Sequence, residues 1–440
     1  MFKPIDDFLD KITMYKLVLY YLLGLLAAAI VLSAAGDIQY NPLVIVVSAV
    51  ILAAACWVIN QIFAYIFNAP TNSESWLITA LILALIITPK LGLYDITFLL
   101  AAAGLAMASK YILTINDSHI FNPAAIAVAL TAFGPRQNAS WWIGTAVLLP
   151  FVLVGGVLLT RKIRRWNMVG TYLIVTFAAT AIYTLASHGD VATSMKQAAL
   201  SSPVFFLGFI MLTEPLTSPA TRNKQSWYGA LVGALLPPQV HIFSLYSTPE
   251  LSLVVGNIFS AMASPQKRIF PVLKEKLRIT ASAVDFVFSS DKKLAYQPGQ
   301  YMEWTLAHHD VDVRGNRRYF TLASSPTEPD LRLGVKFFEK GSSYKKALLA
   351  MGKDTPIVAA HVMGDFTLPK DPNQKLVFIA GGIGITPFRS MLKYLLDNNE
   401  KRDIILLYAL NNFEEIVYKD VLEAARNQLG ISTIYFIANA

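Results

Sequence analysis

Apolar positions dominate the first 265 residues and alternate with polar ones in the rest. A helix needs about 20 apolar residues to cross a bilayer. Runs of that length are expected at 15–35, 42–67, 141–160, 167–186 and 227–246. Shorter apolar runs stand at 76–89, 93–113, 122–133, 203–213 and 249–264, which makes about ten helical segments. Two segments are broken by polar residues and proline, at Asn122-Pro123 and at Glu214-Pro215 with Ser218-Pro219. A broken helix frees backbone groups that lipid cannot satisfy, so such breaks sit inside protein and often line a site. From 270 to 370 short alternating runs with turns predict a small antiparallel barrel. From 375 the order changes: KLVFIA, a Gly-rich turn, a helix, DIILLYALNN, a second helix and ISTIYFIAN. That βαβαβ order predicts a parallel sheet with crossover helices. The expected domains are therefore 1–265 in the membrane, 266–370 as the barrel and 371–440 as a nucleotide-binding α/β region that reads as cut short.

Charge sharpens the division. Of 440 residues 55% are hydrophobic and 15% charged, against about a quarter charged in ordinary soluble chains. Residues 1–265 hold 13 Lys/Arg and 10 Asp/Glu, whereas 266–440 hold 24 and 19. The net charge of +8 does not point to nucleic acid, because basic residues cluster at the ends of apolar runs, as in TRKIRRW (160–166) and QKR (266–268). Positive-inside anchoring places those ends, the N-terminus and the polar second half in the cytoplasm. The expected location is an inner or plasma membrane of bacterial type. MFKPIDDFLDKIT is too polar for a cleavable signal. The single cysteine, Cys56, excludes an internal disulfide, an iron–sulfur cluster and a thiolate zinc site. No metal is expected. His119 and His241 are too few and unpaired to ligate a haem couple, and read as helix-end side chains.

Candidate chemistry lies in four places. In the membrane half, Asn122, Glu214, Thr217 and Ser218 are expected to form a polar site at mid-domain. A carboxylate deep in a bilayer costs roughly 2.5–3.5 kcal/mol and is usually functional. In the second half, Ala380-Gly381-Gly382-Ile383-Gly384-Ile385-Thr386-Pro387 is a Gly-rich turn opening a helix, suited to a pyrophosphate. Its expected contacts are Gly381, Gly382, Gly384, Thr386 and Pro387. Upstream stand Arg318-Tyr319-Phe320-Thr321-Leu322-Ala323-Ser324-Ser325-Pro326 and Pro298-Gly299-Gln300-Tyr301. Between these and the Gly-rich turn, Gly341-Ser342-Ser343 opens a helix and suits a phosphate.

The segments TNSESWLITALILALIITP (71–89), HIFNPAA (119–125) and LTEPLTSPATRNKQSWYGALVGALL (212–236) resemble one family. It comprises the membrane flavin subunits of the sodium-pumping NADH:quinone oxidoreductase and of the Rnf electron-transport complex. The resemblance implies about ten helices and a membrane flavin, FMN, to whose edge Asn122, Glu214, Thr217 and Ser218 are expected to supply hydrogen bonds. In that family FMN is commonly esterified to a Thr in a Ser-Gly-Ala-Thr-like motif. Here Asp190-Val191-Ala192-Thr193 keeps only Ala-Thr, which argues against a covalent bond to Thr193. The Arg318–Ser324 run resembles the FAD motif of the ferredoxin–NADP reductase family, and Gly364-Asp365-Phe366 its Gly-x-Phe turn. By that resemblance Arg318 pairs with the FAD pyrophosphate, Phe320 stacks on the isoalloxazine, and Thr321 hydrogen-bonds the flavin ring. Thr321 and Ser324 are the expected catalytic residues, with Tyr319 and Leu322 also at the cofactor. The family's nucleotide half has about five strands against three expected here, so either the chain is cut short or the site is incomplete, and the residues that select NADH or NADPH are expected largely in the missing part.

The expected function is an FAD-dependent NAD(P)H oxidoreductase. It passes electrons to a membrane flavin and on to a quinone, a flavoprotein or a partner protein of the same complex. Two other readings stay open. One is a redox-driven Na⁺/H⁺ transport protein using Glu214 and Asp95; the other is a non-catalytic scaffold with a degenerate reductase.

Overall fold

Several helices in the first half begin where a polar cap or proline stands. A computed structural model describes residues 3–67, 73–116, 118–133, 137–265, 267–290, 294–312 and 314–438. Thr71 and Asn72 of the first motif and Gln266 of the basic run lie outside these. Thr13 accepts the Lys16 N–H at 3.3 Å and caps the second helix, and Asn41 accepts the Leu43 N–H at 2.9 Å ahead of Pro42. The first five helices are α1 (Lys3–Lys11), α2 (Met14–Ala34), α3 (Pro42–Ile66), α4 (Ser73–Ile86) and α5 (Leu93–Ile112). A small hairpin of β1 (Thr114–Ile115) and β2 (Ser118–His119) leads into α6 (Pro123–Phe133). Then come α7 (Leu149–Ile163), α8 (Trp166–Ala186), α9 (Val191–Leu200), α10 (Val204–Phe206) and α11 (Arg222–Leu235). A second hairpin, β3 (His241–Ile242) with β4 (Leu245–Tyr246), precedes α12 (Pro249–Ala263).

Among the described residues four helices, α2, α3, α5 and α8, are long and apolar enough to cross a membrane. Two of the five full-length runs expected from hydropathy do not form full helices. Residues 141–148 are irregular: Trp141 has φ 51° and, with Ile143, donates backbone hydrogen bonds to Ile86 and Leu85, so the helix starts only at Leu149-Pro150. The 227–246 run stops at Leu235, ahead of Pro237-Pro238, and turns into the second hairpin. The helix core is aliphatic, with Leu22, Leu52, Leu83 and Leu99 almost fully buried. Gly229 and Gly233 let α11 approach α8 closely: a Cβ at Gly229 would stand 2.4 Å from the Met168 carbonyl, and one at Gly233 2.6 Å from that of Tyr172. Small residues at such spacing are a common device for packing helices in lipid.

The chain divides into two units, Met1–Gln266 and Lys267–Ala440. In the second, the antiparallel strands are β5 (Arg268–Ile269), β6 (Val272–Arg278), β7 (Ala283–Ser289), β8 (Tyr301–Thr305), β9 (Arg317–Thr321), β10 (Leu331–Lys336) and β11 (Val358–Met363). They form two sheets, ordered β10-β7-β6 and β5-β11-β8-β9. The expected barrel is therefore two sheets around one apolar core, with no continuous closing ladder among the described residues. A single bridge, Val272 to Pro356, joins them at one corner. Helix α13 (Ser343–Ala350) covers the core with Tyr344 and Leu348. Beyond it β12 (Leu376–Gly381), β13 (Ile404–Leu410) and β14 (Ser432–Ile437) pair in parallel in that order. Helices α14 (Thr386–Asp397) and α15 (Lys419–Leu429) pack against this sheet through Phe388, Leu392, Val421 and Leu422.

A buried ionic network ties the parallel sheet to the antiparallel ones. Arg389 on α14 grips the Glu328 carboxylate with both Nη atoms, and donates to the Ala323 carbonyl at 3.0 Å. Arg332 meets Asp285 at 2.7 Å, and the Tyr418 hydroxyl donates to Asp285 at 3.2 Å. Burial pushes the Asp285 carboxyl above its usual range, against the pull of Arg332.

Candidate functional sites

The strand alternation of β9 decides which side chains meet α13. Arg318 and Phe320 face that helix: the Arg318 guanidinium lies 5.1 Å from the centre of the Tyr344 ring, and Phe320 lies 6.0 Å from the same ring. Tyr319 points the other way, is 46% exposed, and donates its hydroxyl to Glu303 at 2.7 Å. The stacking expected of Phe320 thus falls on a half-buried ring already packed against Tyr344, while Tyr319 is the more exposed ring and meets Tyr301 edge-on at 5.9 Å. Thr321 ends the strand opposite Tyr301. The neighbouring turn is held close by Gly299, whose φ is +95° and whose Cβ would lie 2.1 Å from the Phe366 carbonyl.

Arg318 is aimed by its own loop. Its Nη1 donates to the carbonyls of Arg314, Gly315 and Arg317 at 2.7–2.9 Å. Its Nη2 lies 3.4 Å from the Asp312 carboxylate. Ser342 caps α13 by accepting the Lys345 N–H at 3.3 Å, and the N–H of Ser343 donates to Asp312 at 3.0 Å. Gly341 precedes that cap. Burial and the nearby Arg314 charge pull the Arg318 pKa down, and Lys345 is lowered by burial and by Arg314 and Arg318. This is a crowded positive corner. The Asp312 carboxylate is a stand-in anion within it: burial pushes its pKa up, but the N–H donors of Ser343 and Arg314 and the Arg318 charge outweigh that, leaving it below the usual range. The corner therefore fits a diphosphate, as FAD carries.

Ser324 has a different place from the catalytic one expected. It is fully buried. Its hydroxyl pairs with that of Tyr296 at 3.0 Å and accepts the Arg332 N–H at 3.1 Å. These contacts tie it to Tyr296 and to the start of β10, and Leu322 beside it is buried too. At the Gly-rich turn, a Cβ built on Gly381, Gly382 or Gly384 would meet nothing within 4 Å. The backbone there is open to an approaching group. The Gly382 carbonyl accepts the Tyr408 hydroxyl at 3.0 Å, and Thr386 and Pro387 start α14.

In the helical unit, Asn122, Glu214, Thr217 and Ser218 come together. Asn122 donates to Glu214 at 2.9 Å, and Thr217 to the same oxygen at 3.2 Å. The Ser218 hydroxyl donates to the Glu214 carbonyl at 2.6 Å and accepts from Arg165. A five-residue π-helix, Leu207–Met211, precedes them and continues α10. Asn257, Tyr228, Arg165 and His119 also belong to the cluster. Asn257 accepts the Asn122 N–H at 2.9 Å and donates to the Thr217 carbonyl and the Tyr228 hydroxyl. His119 Nε2 lies 3.8 Å from Glu214, so it belongs to the cluster rather than being an idle helix-end residue. Asn257 was visible as a lone amide in an apolar run, whereas Arg165 was masked by its place in a basic turn.

The cluster is not at mid-domain. Arg165 belongs to the basic turn after α7, and the Ala220 N–H donates to Ser264, the residue after α12. Asn257 is six residues from the end of α12, or roughly 9 Å at 1.5 Å per residue. The cluster therefore sits just inside the basic end of the bundle. Several of its polar atoms are hydrogen-bonded to one another, whereas His119 Nε2 is buried with no hydrogen-bond partner among the described residues. Asp95, by contrast, accepts the Gly92 N–H at 3.2 Å at the start of α5. β1 and β2, which carry His119 to Glu214, follow that helix's other end, about 30 Å along. One ion site cannot use both carboxylates. Thr193 is exposed in the first turn of α9, its hydroxyl on Asp190.

Comparison with known proteins follows the same division. Residues 136–260 match the NQR2, RnfD, RnfE family and residues 378–438 match an oxidoreductase NAD-binding domain. A flavohemoprotein of Halalkalibacterium halodurans is 29% identical over 169 residues, 36% of this chain and 40% of that protein. A glycine betaine monooxygenase reductase subunit of Pseudomonas aeruginosa is 26% identical over 157 residues, 34% and 42% of the two chains. The chain thus spans about two fifths of the curated relatives it matches. Among solved structures, a cytochrome P450 reductase of Amycolatopsis gives a TM-score of 0.36 at 20% identity, covering 39% of this chain and 52% of that one. The FAD/NAD-binding domain of a Vibrio cholerae nitric oxide dioxygenase gives 0.35 at 24%, covering 39% and 73%. One chain therefore joins a segment that matches the NQR2, RnfD, RnfE family to one that matches an oxidoreductase NAD-binding domain.

Proposed function

We propose that the protein is a membrane-bound, FAD-dependent NAD(P)H oxidoreductase whose helical unit receives the electrons. The observation that carries this is the positive corner of Arg318 and the α13 N-terminus, already holding a carboxylate, in the same unit as an open Gly-rich turn. FAD, when bound, would accept one hydride, and with it an electron pair, and release the two electrons singly. Arg318 and the Ser343 N–H bind its diphosphate. Tyr319 offers a flat ring, and Thr321 a hydroxyl at the mouth of the sheet. Gly381, Gly382 and Gly384 admit the nucleotide pyrophosphate close to backbone, at the head of α14.

The helical unit's family match supports FMN there. The basic turns at the Arg165 end support placing that end, and the reductase unit, in the cytoplasm. A quinone, a flavoprotein or a partner protein would take the electrons onward. The purified protein should show an oxidised flavin spectrum that bleaches on adding NADH or NADPH without air. A flavin-free spectrum, or one that neither nucleotide bleaches, rejects the reading in favour of a scaffold.

A further inference from the structure

Asp312 occupies the donors that a diphosphate would need. Its carboxylate accepts the Ser343 N–H at 3.0 Å and the Arg314 N–H at 2.9 Å. It lies 3.4 Å from Arg318 Nη2. Its own N–H donates to the Ser343 hydroxyl at 3.0 Å, and His308 Nε2 lies 3.0 Å from that same hydroxyl. The Ser343 N–H is the first of α13 and has no partner within the helix. Nη1 of Arg318 is already committed to three carbonyls, which leaves the Nη2 edge for an anion. A diphosphate and a carboxylate on this one edge would repel each other.

We propose that Asp312 is an internal surrogate for the FAD diphosphate, which must leave these donors before the cofactor can take them. Asp312 then has two effects of opposite sign. It neutralises Arg318 and caps α13 while the pocket is empty, which stabilises the flavin-free protein. It also competes with FAD and weakens its binding. A residue that only oriented Arg318 for FAD would do the reverse, because removing it would weaken binding. The inference rests on the reading of Arg318 as the FAD residue.

The test uses the full-length protein in detergent, stripped of flavin and titrated with FAD by fluorescence quenching. Asp312→Ala and the near-isosteric Asp312→Asn should each bind FAD about tenfold more tightly, the equivalent of about 1.4 kcal/mol. Both should melt at lower temperature than the parent when flavin-free, and no lower when FAD-loaded. In an Arg318→Ala background the gain from Asp312→Asn should vanish. Inorganic pyrophosphate should raise the melting temperature of flavin-free Asp312→Asn more than that of the parent. Equal or weaker FAD binding by Asp312→Asn, with the parent binding normally, overturns the surrogate role alone. A parent that binds FAD with no sensitivity to Arg318→Ala overturns the Arg318 assignment, and the surrogate with it.

Discussion

At the residue scale, Arg318 is the most informative side chain in the molecule. Three backbone carbonyls hold its guanidinium in one orientation, so little side-chain entropy remains to be lost when an anion arrives. A hydrogen bond to a charged group is worth roughly 1.5–3 kcal/mol. Arg318→Ala should therefore weaken FAD at least about tenfold, measured by titration, and unchanged occupancy would remove the assignment. The strand motif was readable in sequence because its residue types are chemically specific. Which ring of the motif is the more exposed was not. Alternation puts Phe320 beside Tyr344 and turns Tyr319 outward, and that depends on which face α13 covers. Ser324 shows the same limit: a serine next to a cofactor motif reads as reactive until Tyr296 and the Arg332 N–H are seen to occupy it. Thr193 supports a separate expectation. With no Ser-Gly ahead of Ala192, flavin in the helical unit should be released when the protein is denatured in acid. Fluorescence that stays with the polypeptide band on a gel would reverse this, and its loss in Thr193→Val would identify the attachment.

At the element scale, the broken helices bring their polar residues together across long sequence distances. Asn122 and Glu214 are 92 positions apart, yet share a 2.9 Å hydrogen bond. The cluster is closed by Asn257 and Tyr228 from two further helices. Removing one member leaves buried groups unpaired, at roughly 1–3 kcal/mol each. Asn122→Ala and Glu214→Ala should each lower the melting temperature in detergent. The double variant should be less destabilised than their sum, with a coupling of roughly 0.5–3 kcal/mol. Strict additivity would mean that the contact carries no energy. The breaks themselves were legible, since proline beside asparagine or glutamate cannot continue a lipid-facing helix. Their depth was not: hydropathy counts residues along the chain, and only the contacts to Arg165 and Ser264 place them near the basic end. Hydropathy also overcounted full spans. It scores Trp141, Trp142 and the residues after Pro237 as lipid-compatible, without registering that a positive φ or a proline pair ends a helix.

At the scale of the whole molecule, one polypeptide carries both the nucleotide chemistry and the apolar helices. This makes sidedness testable. In sealed, oriented vesicles, NADH or NADPH should be oxidised only when added on the face that bears the reductase unit, expected to be cytoplasmic from the basic turns. Oxidation from the opposite face alone would invert the topology. Accompanying Na⁺ or H⁺ movement would favour the transport reading, which would have to be built on Glu214 without Asp95.

The amino-acid sequence by itself determined the division near residue 266, the helical and mixed characters of the two halves, the βαβαβ order after 375, and the chemistry of the Arg318 and Gly-rich motifs. These depend on local composition and short spacings, which the chain carries wherever it folds. Tertiary structure alone decided which polar groups meet one another. It brought Asn122, Glu214 and Asn257 together, buried Ser324, separated Asp95 from Glu214, and set Asp312 on the donors of Arg318 and α13. Such pairings follow from how distant elements pack and from the need of every buried polar group for a partner. No local stretch of sequence encodes which partner it will find.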